Sequence, residues 1–175
     1  MKKILLTLAL VAFGSTPSMA ASITKDEVLK AQEKWAAGIV KISQTFIDKG
    51  DYKAAATKHI NDLYAYEQSD VLFKPTLAAD DQFRETFDEA LSYFVGGDIK
   101  EDGGFAIKPW KDARFDGKQH IVIMDDYAVS MGNYFFTPAE GGEAQKVEFT
   151  FGYIKDEDGD LRINLHHSSL PFSAK

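Results

Sequence analysis

Cysteine is absent from this 175-residue chain. That removes disulfide staples, thiolate nucleophiles and every cysteine-based metal site from consideration. Histidine is scarce, at four residues, with no His-x-His or His-x-x-x-His spacing. A three-histidine zinc centre would therefore have to be gathered from unrelated elements. There is no glycine-rich phosphate loop, no Gly-x-Ser-x-Gly and no block of basic residues. A formal net charge of -7 without a basic patch argues against nucleic acid and against anionic membrane surfaces as partners. The only long apolar run is Ile4 to Phe13, and ten residues are too few to span a bilayer.

That run has a different meaning. Lys2 and Lys3 precede it, and Ser18-Met19-Ala20 follows with small residues at the cleavage-determining positions. Residues 1–20 read as a cleavable signal peptide, with cleavage after Ala20 and a periplasmic or secreted product. Residues 21–175 then form a single domain of 155 residues, long enough to bury a sizeable core. Loss of the two lysines takes the net charge to -9.

Thr24-Lys25-Asp26-Glu27 is a capping box, and Val28, Ala31, Trp35, Ile39, Ile42 and Phe46 recur at helical spacing up to Gly50. A shorter helix is expected from Tyr52 to about His59. Leu63 to Tyr66 and Val71 to Phe73, split by Gln68-Ser69-Asp70, suggest a hairpin. A third helix is expected from about Asp80 to Phe94, stopped by Gly96-Gly97. Five strand-like runs follow: 105–110, 119–124, 127–137, 146–154 and 161–169. Asp156 to Asp160 reads as a solvated hairpin turn rather than a calcium loop, because its glycine comes early and the closing glutamate is missing. Asp125-Asp126 is likewise a turn. Helices first and a long antiparallel meander after them give an α+β layout.

The last run, Leu-Arg-Ile-Asn-Leu-His-His-Ser-Ser (161–169), ends in four polar residues. Strand alternation places Leu161, Ile163, Leu165, His167 and Ser169 on the core face, with His166 and Ser168 on the other. Adjacent His166 and His167 diverge, so they cannot share one metal ion without a bulge. His167 and Ser169 either satisfy each other in the core or line a wet pocket.

The order of elements resembles the nuclear transport factor 2-like cone, with three N-terminal helices packed on a strongly curved antiparallel sheet. The His-His-Ser-Ser ending resembles the association domain of calcium/calmodulin-dependent kinase in that superfamily. Residues 72–78, 90–97 and 131–134, with Phe151-Gly152-Tyr153 and Leu161 to Pro171, are similar in order to the iota class of carbonic anhydrases. That resemblance covers nearly all of residues 21–175.

The resemblance implies reversible hydration of carbon dioxide to bicarbonate and a proton. It also implies that a Thr, a Tyr and a Ser surround the substrate, carried here by Thr76, Tyr93 and Ser169, with Ser168 as the alternative serine. His167 would assist proton transfer. Members of the class differ in metal dependence, so the expected cofactor is none, with zinc or manganese as the alternative. A homodimer through the outer face of the sheet is the implied assembly. Two other readings stand beside this one. The first is a non-catalytic ligand-binding or oligomeric assembly module on the same cone. The second is an isomerase or cyclase cone, against which counts the lack of a carboxylate on any apolar strand face.

Overall fold

The computed structural model describes residues 22–173. The proposed signal peptide lies outside them. Three helices come first: α1 (Lys25–Ile47), α2 (Tyr52–Leu63) and, after the short strand β1 (Leu72–Lys74), α3 (Phe87–Val95). A 3-10 turn at Phe105–Ile107 leads into β2 (Trp110–Phe115), β3 (His120–Met124), β4 (Tyr127–Pro138), β5 (Gln145–Lys155) and β6 (Leu161–Ser169). The sheet order is β1-β6-β5-β4-β2, with β3 also pairing with β4. All pairs are antiparallel except β1 with β6. This α+β arrangement is the expected cone.

The capping box at Thr24 and Glu27 is formed, and Val28, Trp35, Ile39 and Ile42 are buried along one stripe of α1. Trp35 sits at the centre of the core. Its ring meets Tyr134, Phe151 and His166 edge-on at centroid distances of 5.5, 5.6 and 5.6 Å. The sheet supplies Phe136, Val147, Phe149, Phe151, Tyr153 and Ile163 to the same core.

Three segments depart from expectation. The hairpin over 63–73 does not form. Leu63 closes α2, Tyr64 makes a parallel bridge to Ile163, and β1 joins the sheet edge beside β6. The Ala65 amide donates to the Ile163 carbonyl of β6 at 3.0 Å, while the Gln68 and Ser69 amides turn back to the Ala65 carbonyl.

The third helix starts at Phe87, not Asp80. A second capping box, Thr86 with Glu89, sets its first turn. The preceding amides of Ala79, Asp80 and Asp81 donate to the Glu101 carboxylate at 2.8, 3.1 and 2.9 Å, so they are spent before a helix can claim them. Arg84 pins the same stretch from below. Its guanidinium is fully buried and pairs with the equally buried Asp102 at 2.6 Å. Finally, 105–110 is not a strand. Pro109 has no amide to donate, and pairing starts at Trp110.

Candidate active site

The site is built on the inner face of β6, and a bulge decides which residues reach it. Gly152 pairs with Leu165 and Tyr153 with Ile163, leaving Asn164 without a partner. One extra residue resets the two-residue period. Ile163 is buried, but the next buried positions are His166 and Ser168, at 3 % and 2 % exposure.

The expectation for this strand is therefore corrected. His167 is exposed on the outer face, opposite Thr150, and Ser169 donates from that face to Glu148 at 2.9 Å. Neither reaches the pocket. Ser168, the alternative serine, occupies the position expected of Ser169, and His166 that expected of His167. Gly152 faces the bulge from β5 because a Cβ there would strike the Tyr127 hydroxyl, Leu165 and Asn164.

Around Ser168 four elements converge. Thr76, at the start of the loop that Arg84 and Glu101 pin, hydrogen-bonds the Ser168 hydroxyl. Tyr134 from β4 hydrogen-bonds it from the other side. Tyr93, on the last turn of α3, lines the same cavity as Thr76, Tyr134 and Ser168. Thr76 and Tyr93, the pair that the resemblance implies, line one cavity.

His166 closes the far end. Its Nδ1 lies 2.8 Å from the Tyr64 hydroxyl, and its Nε2 lies 3.4 Å from that of Tyr134. The Trp35 indole donates to Tyr64 at 2.9 Å. Phe73 stacks on the imidazole at 4.5 Å and Phe151 meets it edge-on at 4.4 Å.

Sequence reasoning did not assign Tyr134, Tyr64 or Trp35 to this chemistry. A signal for Tyr134 existed: Ala128, Ser130, Tyr134 and Phe136 alternate along the buried face of β4. No comparable signal marks Tyr64, which follows the end of α2.

These groups enclose a cavity of about 10 Å³, lined by Thr76, Tyr93, Tyr134, His166 and Ser168 against Phe73 and Phe105. That is about the room that one water molecule needs. A far larger groove, about 820 Å³, runs between α1 and α2. Its walls carry lysines and small residues rather than converging hydroxyls, so size does not locate the site.

Burial sets the protonation states. It pushes the phenols of Tyr93 and Tyr134 well above the usual tyrosine range and holds the His166 imidazole well below the usual histidine range. Near pH 7 the site is a set of neutral hydroxyls around a neutral imidazole. Among the described residues no group of three or more His, Asp or Glu side chains is placed to hold a metal ion. The arrangement suits a small, uncharged or singly charged oxygen-rich molecule that needs hydrogen bonds on several sides.

Comparison with known proteins points the same way. The curated "Metal-independent carbonic anhydrase" of Nostoc sp. is 44 % identical over 162 residues, covering 90 % of this chain and 78 % of the relative. The crystal structure of a cyanobacterial iota-carbonic anhydrase complexed with bicarbonate superposes with a TM-score of 0.84 at 42 % identity, covering 91 % and 99 % of the two chains. A nuclear transport factor 2-like protein from Salmonella enterica, at 13 % identity and a TM-score of 0.53 over 86 % of this chain and 93 % of that one, shares the fold. Residues 26–170 match the family described as "Metal-independent carbonic anhydrase", and this chain belongs to that family.

Proposed function

We propose that the Thr76, Tyr93 and Ser168 hydroxyls form the centre at which this chain hydrates carbon dioxide, with His166 and Tyr134 completing the site. The reaction joins a water oxygen to the carbon of carbon dioxide, giving bicarbonate and one proton. What carries the reading is the convergence of these hydroxyls on one small cavity under an apolar roof. Carbon dioxide is apolar and enters such a pocket at little cost. Bicarbonate carries negative oxygens, and fixed O–H donors stabilise the charge as it develops. The hydroxyls also hold the attacking water beside the carbon, which removes the entropy cost of a chance encounter. The buried site holds no charged base, so the proton passes on to solvent.

In stopped-flow hydration assays, residues 21–175 should accelerate bicarbonate formation equally with and without a chelator. No rate above buffer would sink the reading.

We extend the proposal to assembly and address. The outer face carries a row running Leu72, Leu165, Gly152, Val129 and Val122 across five paired strands. Leu72 and Val122 are 68 % and 57 % exposed, as is Met131, at 57 %, in the next row. An apolar stripe of this kind suits a second copy of the chain. Light scattering should give twice the chain mass, falling to one with Val122→Asp. For export, the mature N-terminus should be Ala21 by intact mass.

A further inference from the structure

We infer that Trp35 and Tyr64 are positioning residues for the hydration reaction: they fix His166 as its Nε2–H tautomer and so set the direction in which the hydroxyls around Ser168 donate. The inference rests on the function proposed above and adds two residues that act through His166.

The argument begins from a group with no choice. An indole N–H can only donate. Trp35 spends it on the Tyr64 oxygen at 2.9 Å. The Tyr64 hydroxyl is buried and has one other polar neighbour, His166 Nδ1 at 2.8 Å. Its proton must therefore go to Nδ1, because an unpaired buried O–H is costly. A neutral imidazole that accepts at Nδ1 carries its hydrogen on Nε2.

From Nε2 the direction propagates. The acceptor in reach is the Tyr134 oxygen, at 3.4 Å. With Nε2 already protonated, Tyr134 can place its own proton only on Ser168. Ser168 then donates toward Thr76, which leaves the Thr76 proton for a partner in the cavity that Thr76 and Tyr93 both line. A chain wired this way offers O–H donors to negative oxygens. With the other tautomer, Tyr134 would donate to Nε2, the hydroxyls would turn about, and lone pairs would face bicarbonate.

The test reads the tautomer directly by nitrogen-15 NMR of histidine-labelled protein at pH 7. The expected result is a buried His166 protonated on Nε2 and bare on Nδ1. In Tyr64→Phe, which loses both links and keeps the ring, that preference should weaken. Its kcat for carbon dioxide hydration should fall roughly tenfold with KM within about twofold, a smaller loss than removing a direct donor. Trp35→Phe should show the same pattern in milder form. An Nδ1-protonated His166 in the unaltered protein overturns the inference even if both variants fail to fold. So does a folded Tyr64→Phe that keeps both the Nε2–H form and full kcat. Because the tautomer is read without turnover, an inactive wild-type protein would refute the proposed function and leave this wiring separately decided.

Discussion

The Ser168 hydroxyl hydrogen-bonds the Thr76 hydroxyl across 92 positions of chain. Nothing local holds the two together. Ser168 is placed by the bulge at Asn164, and Thr76 by the loop that follows β1. Their meeting is what makes a site of two ordinary residues.

The two adjacent serines provide the sharpest test of that geometry. Ser168→Ala should lower kcat/KM by roughly 100-fold or more, the scale of a lost transition-state donor. Ser169→Ala should leave it within about twofold, since that hydroxyl meets Glu148 on the far face. Stopped-flow rates with the reverse ranking would refute the assignment.

Gly152→Ala should disturb the bulge itself. The new methyl would meet the Tyr127 hydroxyl, Leu165 Cβ and the Asn164 side chain. A stability loss of about 1–3 kcal/mol is expected from such overpacking, together with reduced activity as β6 shifts. Urea denaturation checks the first effect. A variant as stable and active as the parent would show that the bulge tolerates the methyl.

Releasing the loop that carries Thr76 should cost both stability and turnover. Arg84 and Asp102 are fully buried partners. Asp102→Ala removes the close partner of a buried guanidinium that keeps only its longer contacts to Glu101 and Asp81 at 3.7 and 3.9 Å, a loss of about 1–3 kcal/mol. The urea midpoint should drop accordingly, and any protein still folded should hydrate carbon dioxide more slowly. A midpoint unchanged within error would contradict the structural role given to this pair.

Stability should fall as pH drops from about 6.5 toward 4. Burial lowers His59 to about 4 and holds His166 well below the usual histidine range. Each folded-state value lies below its unfolded one, so the unfolded chain binds protons first and acid favours it. Between these limits each histidine contributes up to about 1.4 kcal/mol per pH unit. His59→Gln should remove about one proton from the slope of urea stability against pH. An unchanged slope would show that His59 does not titrate between the two states.

The sequence alone determined the class of fold, the first two helices and the long strands β4, β5 and β6. These follow from local chemistry: capping boxes, apolar periods and turn residues act within a few positions. Thr76, Tyr93 and the two candidate serines came from the resemblance to a known family, not from local pattern. Tertiary structure decided between them, because a bulge is a property of two paired strands and Asn164 looks like any outward-facing residue until Gly152 and Tyr153 set the register. The start of α3 was decided the same way, by Glu101 capturing amides twenty residues upstream. Trp35 and Tyr64 show the same division. Helical spacing puts Trp35 on the apolar stripe of α1, and only the packing of α1 and β6 around Tyr64 brings its indole N–H into line with His166.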